Sequence, residues 1–175
     1  MNADQSRTGG SYGLQPDVYD PMAHPELFRG VLTARAMAFL IDVIVIALPV
    51  IAATIFISIF GLLTLGIGWL LFWPLHGLAV VWAVLYYGFT LGGPRPATIG
   101  MRTMGIEMRT TYGAPGYFVL GAVHAVVYWV SVSVLTPFVL LVGLFNARSR
   151  LLHDVILGTV VINNPGRAAR FTGRR

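Results

Sequence analysis

Asp42 has the clearest potential for chemistry in this chain, because it is the only formally charged residue between Arg35 and Arg95. The sequence around it otherwise predicts two consecutive membrane-spanning helices. A carboxylate near the middle of such a helix costs about 2.5–3.5 kcal/mol on insertion scales, so it needs a partner, a proton or a water-filled cavity. Asp42 therefore either holds helices in register or acts as a titrating or cation-binding group of a transport pathway.

Two histidines are candidate partners for Asp42. His76 and His124 both lie within apolar segments. A single histidine in such a segment most often forms a hydrogen bond across a helix interface. If both histidines met Asp42, the three side chains would form a proton or cation site. No paired metal-binding motif is present, so the sequence predicts neither a bound metal nor a cofactor.

The familiar catalytic motifs are missing from the sequence. The chain has no cysteine, which excludes thiol catalysis and metal sites built on thiolates. It has no lysine-bearing glycine loop for phosphate, no GxSxG and no HExxH. We therefore do not expect an enzyme.

The composition is typical of a polytopic membrane protein. The chain is 56% hydrophobic and only 11% charged, whereas a soluble domain is about 25% charged. All 12 basic residues are arginine, and the net charge is +5. These arginines flank the apolar runs, where topology determinants lie. The expected partner is therefore the lipid bilayer, and nucleic acid is not expected.

Two segments are long enough to cross a membrane. About 20 residues span the hydrocarbon core, and residues 36–60 and 69–91 both satisfy this length. A glycine-rich turn at 61–68 joins them. Residues 1–28 form a polar leader that we expect to be disordered, and residues 164–175 form an arginine-rich cytoplasmic tail.

The connector at residues 92–116 is polar and basic. Its sequence predicts a short helix over 98–104, followed by a strand in which apolar and charged side chains alternate from residue 106. The β-branched stretch at 158–162 is a candidate partner for that strand. The basic side chains of the connector are Arg95, Arg102 and Arg109.

The last apolar run, residues 117–147, is too long for one crossing. As a single helix it would measure about 46 Å. The segments on both sides carry arginine, and the positive-inside rule places arginine-bearing segments in the cytoplasm. The run must therefore cross twice or re-enter, with the break near Ser131, Ser133 and Pro137.

These elements predict an all-α membrane protein that is a bundle of four hydrophobic helices. Two of the helices are full spans, and the other two form a short or re-entrant hairpin. A small two-stranded β element lies on the cytoplasmic side. Both chain termini are expected in the cytoplasm.

Three segments resemble the RDD family of bacterial integral membrane proteins, which is named for one arginine and two aspartates. The segments are RAMAFLID at 35–42, TIGMRTMGI at 98–106 and LHDVILGTVV at 152–161. The resemblance covers a transmembrane domain of about residues 29–163. It implies that the charged triad of the family falls on Arg35, Asp42 and Asp154.

Arg35 and Asp154 lie at the predicted cytoplasmic edge of the membrane, where charges commonly anchor helix ends. We expect Asp154 to pair with Arg35 or Arg102 and so to hold the C-terminal segment beneath the helices. His153 is expected to face solvent or to cap a helix.

The family resemblance implies an integral protein of the bacterial inner membrane, and a role in the transport of unidentified ligands has been suggested for the family. Two hypotheses follow. The protein is an accessory or scaffold component of a membrane complex, or it is a component of a transporter or cation/proton exchanger in which Asp42 titrates. One small chain cannot readily supply two moving halves, so transport predicts a homo-oligomer or a larger complex.

Overall fold

The structure is a computed structural model that describes residues 19–135 and 148–173. Two short 3-10 segments, Pro25–Leu27 and Ile67–Leu71, precede the first and second long helices. The helices of the described residues are α1 (Val31–Leu63), α2 (Phe72–Leu91), α3 (Ile99–Met104), α4 (Phe118–Leu135), α5 (Leu152–Leu157) and α6 (Pro165–Thr172), and the strands are β1 (Ile106–Thr110) and β2 (Thr159–Asn163).

The helices α1 and α2 are long and apolar enough to cross a membrane. Together with the 3-10 segments that lead into them they cover 39 and 25 residues, and only 6% of the most apolar window of each is buried inside the protein. A core helix of a soluble domain buries its apolar face, whereas these helices leave most of theirs exposed. The predicted span at 36–60 lies within α1, and the predicted span at 69–91 covers the end of the second 3-10 segment and α2.

A compact cap lies at the start of α1 and the end of α2. We use the name cap for residues 19–30, 92–116 and 148–173. Val31 at the start of α1, Leu91 at the end of α2 and Leu120 near the start of α4 share one buried cluster with side chains of the cap. The helices α1 and α2 are therefore antiparallel, and the cap lies at the end opposite to their 64–71 turn.

The two predicted strands form the sheet of the cap. The strands β1 and β2 pair antiparallel, with Ile106 opposite Asn163 and Thr110 opposite Thr159. Every residue of β2 is buried. The predicted strand pairing and the predicted helix at 98–104 are both confirmed, and the alternation of apolar and charged side chains in β1 is the reason that the strand could be recognised.

The end of the leader and the tail cover the outer face of this sheet. Tyr19 and Phe28 pack in one cluster with Val160 and Ile162. In the tail, which forms α6, the guanidinium of Arg167 donates to the backbone carbonyls of two residues outside α6, Met104 and Gly30. The described part of the leader is thus ordered where the sequence predicts disorder, because the buried strand β2 supplies an apolar surface for it. Residues 1–18 lie outside the described residues.

The third apolar helix, α4, has 18 residues, which corresponds to about 27 Å. It continues past Ser131 and Ser133, so these serines do not break it. The hydroxyl of Ser131 donates to the carbonyl of Val127 at 2.6 Å, which satisfies the hydroxyl within the helix. Pro137 and the second half of the predicted hairpin lie outside the described residues, and the fourth hydrophobic helix stays a prediction.

Candidate functional site

Asp42 lies in α1 and is 3% exposed. Its carboxylate accepts three hydrogen bonds, from the hydroxyl of Tyr86 at 2.5 Å, the hydroxyl of Thr98 at 2.6 Å and the backbone N–H of Gly100 at 2.8 Å. Among the described residues no arginine or histidine forms an ion pair with it. Neutral donors thus satisfy the buried charge, which supports a structural role for this carboxylate.

The N-terminal end of α3 forms hydrogen bonds with Asp42. Thr98 is the N-cap, and its hydroxyl accepts a hydrogen bond from the N–H of Met101 at 3.1 Å. The first N–H groups of a helix have no partner within the helix, so the N–H of Gly100 is available to the carboxylate. A Cβ at Gly100 would lie 2.1 Å from the carbonyl oxygen of Ala38. Only glycine permits this approach of α3 to α1.

Asp154 is the second buried acid, and it has a charged partner. Its Oδ2 lies 2.6 Å from Nη1 of Arg35, and the two side chains are 0% and 11% exposed. Asp154 also accepts from the N–H of Leu151 at 2.9 Å and from the hydroxyl of Thr159 at 3.3 Å. The predicted pairing of Asp154 with Arg35 is confirmed, whereas Arg102 donates instead to the carbonyl of Ala97.

The surroundings of Asp154 keep it ionised. Burial acts to raise the pKa of Asp154, but the Arg35 guanidinium and the two nearby histidines together outweigh burial and hold the pKa below its usual range. The carboxylate therefore carries its charge at neutral pH.

His124 and His153 approach Asp154. The Nε2 atoms of His124 and His153 lie 3.9 Å and 3.5 Å from Oδ1 of Asp154. The two rings meet edge to face, with centroids 4.7 Å apart. Nη2 of Arg35 lies 3.4 Å from Nε2 of His153. We name Arg35, His124, His153 and Asp154 the charged cluster.

The expectation that His153 faces solvent or caps a helix is wrong. Its side chain is 1% exposed, because α5 packs beneath α4 and turns the ring towards His124 and Tyr128. Burial, opposed by the nearby Asp154 carboxylate, lowers the pKa of His153 to about 3, so the imidazole is neutral at neutral pH. Its position next to Asp154 in the LHD segment is the only sequence signal that connected it to the triad.

The structure separates the other residues suggested by the sequence. His76 is exposed on α2, with Nδ1 3.3 Å from the carbonyl oxygen of Phe72. It does not join Asp42 or His124. Arg95 is exposed, and Arg109 pairs with Glu107 at 2.8 Å. The sequence did not predict Tyr86 as a partner of Asp42, because a tyrosine near a helix end is common in membrane proteins as an interfacial anchor.

A cavity of about 710 Å³ lies beside the charged cluster, bounded by α1, α2 and α4 and by the cap. Most of its described lining is apolar, including Phe39, Leu91 and Leu151. Among its described residues, the side chains with polar or charged chemistry are Thr33, Arg35, Asp42, Tyr87, Thr98, His124, Tyr128 and His153.

The chain matches the model of one protein family. The model of the RDD family matches residues 29–158, a range that contains Arg35, Asp42 and Asp154. No curated protein and no solved structure matches the chain significantly. The match covers well over half of the sequence, and so this chain belongs to the RDD family.

Proposed function

We propose that the protein is a non-enzymatic component of a membrane transport or exchange system that binds a small solute in its cavity. The observation that carries this proposal is the convergence of Arg35, His124 and His153 on one wall of a cavity of about 710 Å³. Ligand sites are typically about 300–1,000 Å³, mainly apolar and furnished with a few convergent polar groups. The cavity fits that description.

The two acids of the family triad have different roles. Asp42 holds the start of α3 against α1 through three neutral donors, and we assign it a structural role in place of the titrating role suggested by the sequence. Asp154 orients the charged cluster, because one of its oxygens faces Arg35 and the other faces the two histidines. The side chains of the charged cluster that line the cavity are then Arg35, His124 and His153.

The expected setting is the bacterial inner membrane with both termini in the cytoplasm. The cap carries a surplus of arginine, and arginine-rich segments stay on the cytoplasmic side. In this orientation the charged cluster lies near the cytoplasmic surface, where a solute could be released. One chain of this size offers few parts that move against each other, so we expect it to act as a homo-oligomer or with a larger partner.

Flux measurements in proteoliposomes test the proposal. The purified protein is reconstituted, and the fluxes of H⁺, Na⁺, K⁺ and divalent cations are compared for the wild type, His124→Gln, Asp42→Asn and the exposed control His76→Gln. We expect flux in the wild type and in His76→Gln, and at least a tenfold loss in His124→Gln. A folded, inserted Asp42→Asn protein should retain flux if its role is structural. Loss of flux in Asp42→Asn alone would instead restore Asp42 as the titrating group.

A second candidate function is an accessory or scaffold protein of a membrane complex. The observation that favours it is the saturation of both buried acids by donors within the chain. Photo-crosslinking groups placed at the exposed residues Phe56 and Trp73 should then give one discrete protein adduct in native membranes. Only lipid adducts at both positions, together with flux in liposomes, would count against this function.

A further inference from the structure

We propose that the charged cluster binds a divalent transition-metal ion, best matched by Zn²⁺, through Nε2 of His124, Nε2 of His153 and Oδ1 of Asp154. The site rests on its own geometry. The further step, that this ion is also the transported solute, rests on the proposed function. It would make the solute of the cavity a divalent transition-metal ion.

The spacing of the three atoms is close to that of a tetrahedral site. His124, His153 and Asp154 each offer one ligand atom, and these three atoms lie within 4.8 Å of one another. A Zn²⁺ ion at about 2.0–2.1 Å from each ligand separates the ligand atoms by roughly 3.3–3.4 Å. The distance from His153 Nε2 to Asp154 Oδ1 is already 3.5 Å, and the distance from His124 Nε2 is 3.9 Å. A shift of His124 by roughly half an ångström would complete this side of the site.

The two imidazoles are poorly explained as structural groups. Both rings are buried, at 9% and 1% exposure for His124 and His153. Their Nδ1 atoms have no hydrogen-bond partner among the described residues. A buried polar atom without a partner destabilises a fold, so packing alone does not explain two such rings side by side. The ligand-binding role rests on their Nε2 atoms, which face Oδ1 of Asp154.

The donor set selects the class of metal. Two imidazoles with one carboxylate suit Zn²⁺ and its transition-metal neighbours, whereas Ca²⁺ and Mg²⁺ prefer sites made only of oxygen. The three ligands include neither a thiolate nor a thioether, the ligands that Cu⁺ prefers. Three protein ligands leave one tetrahedral position open. Since His124 and His153 both line the cavity, the fourth ligand would be a water or an anionic group that enters from it.

Arg35 makes the site reversible. Its Nη1 binds Oδ2 of Asp154 and leaves Oδ1 to the metal, but its Nη2 lies 3.4 Å from Nε2 of His153. A bound cation would repel the guanidinium and would have to displace this contact. Arg35 should therefore weaken binding, which suits an ion that is released rather than one that is held permanently.

Metal binding by the purified full-length protein tests the inference. The protein carries an affinity tag without histidine, and Zn²⁺ is measured by equilibrium dialysis against a competing chelator. We expect one ion per chain, at least a tenfold weaker affinity in His124→Gln and in His153→Gln, and unchanged affinity in His24→Gln and His76→Gln. These controls alter the other two of the four histidines in the chain. A hundredfold excess of Mg²⁺ should not compete.

The variant Arg35→Gln tests the site through a gain of affinity, which a folding defect would not produce. It retains all three ligands and removes the competing cation, so Zn²⁺ should bind several-fold more tightly and should raise the Tm more than in the wild type. The wild type loaded with Co²⁺ should give the absorption spectrum of a tetrahedral ion. Failure of the wild type to bind Zn²⁺, or equal affinity in all the histidine variants, would overturn the inference.

The two proposals fail separately. Flux of another solute by a protein that binds no Zn²⁺ would overturn the metal site and leave the proposed function standing. Zn²⁺ binding without flux of any solute would support the site and overturn the transport proposal.

Discussion

At the scale of single residues, the chain stabilises two buried acids in different ways. Asp42 is surrounded by neutral donors, of which the hydroxyl of Tyr86 at 2.5 Å is the shortest contact. The negative charge of Asp154 is balanced by Arg35, whose Nη1 lies 2.6 Å from Oδ2 of Asp154. Hydrogen bonds to a charged group contribute about 1.5–3 kcal/mol each, so three of them can offset much of the cost of burying Asp42. Because Arg35 keeps Asp154 ionised, the two histidines beside it face a carboxylate anion.

The variant Tyr86→Phe tests how Asp42 is stabilised. It removes one donor and leaves the ring in place, so the free energy of unfolding should fall by about 1.5–3 kcal/mol. The measurement is denaturant unfolding in detergent micelles. Tyr87→Phe is the matched control, because the neighbouring hydroxyl of Tyr87 forms no hydrogen bond to Asp42 and its loss should cost less than about 1 kcal/mol. Equal effects of the two variants would contradict the role given to Tyr86.

At the scale of elements, the short helix α3 depends on its close approach to α1. The Thr98 cap and the N–H of Gly100 both contact Asp42, so the connector is fixed to the membrane helix at one point. The strand β1 follows α3 after Gly105, which has a φ of +70°. Only that left-handed turn lets the chain leave the helix and enter the sheet within one residue.

The variant Gly100→Ala tests that contact. The added Cβ would meet the backbone of Ala38 at 2.1 Å, and helix backbone cannot move aside as a flexible side chain can. We expect a loss of about 2–4 kcal/mol, from overpacking together with the broken hydrogen bond to Asp42. Thermal unfolding measures it.

Gly77→Ala provides the control for Gly100→Ala. Gly77 lies within α2, and a Cβ there would meet nothing within 4 Å. This substitution should leave stability unchanged or raise it by up to about 1 kcal/mol, because alanine favours the helix. A tolerated Gly100→Ala would mean that α3 and α1 are less closely packed than the structure has them.

At the scale of the whole molecule, the cap connects segments that are far apart in the sequence. The ion pair of Arg35 and Asp154 joins α1 to α5, and β2 joins the connector to the C-terminal segment. The cavity lies between α1, α2, α4 and the cap. The cap supplies two members of the charged cluster, His153 and Asp154, and part of the cavity wall.

A double-mutant cycle tests whether the ion pair holds the cap. Asp154→Asn should cost about 3–5 kcal/mol, because it leaves the largely buried Arg35 without its counter-charge. The double variant with Arg35→Gln should cost clearly less than the sum of the two single variants. Unfolding in detergent measures all four proteins. Strict additivity would show that the two side chains do not stabilise each other.

The sequence by itself determined the two long apolar helices and the short helix and the strand pair of the connector, and the family resemblance indicated the positions of the triad. Apolar length, the period of alternation and the three family segments are local properties, so they can be read along the chain. The pairing of Asp154 with an arginine at the same predicted membrane edge was also predictable from their opposite charges, and the structure selects Arg35 over Arg102. These predictions did not depend on how the helices pack.

Only the tertiary structure decided which partners each acid has. His124 could have met Asp42 or Asp154, and the packing of α5 beneath α4 places it at Asp154. His153 is adjacent to Asp154 in the sequence, but its burial depends on a helix that lies about 30 residues earlier in the chain. Tyr86 and Gly100 reach Asp42 from two other segments. Such contacts arise from the way distant elements fill space together, and no local pattern encodes that arrangement.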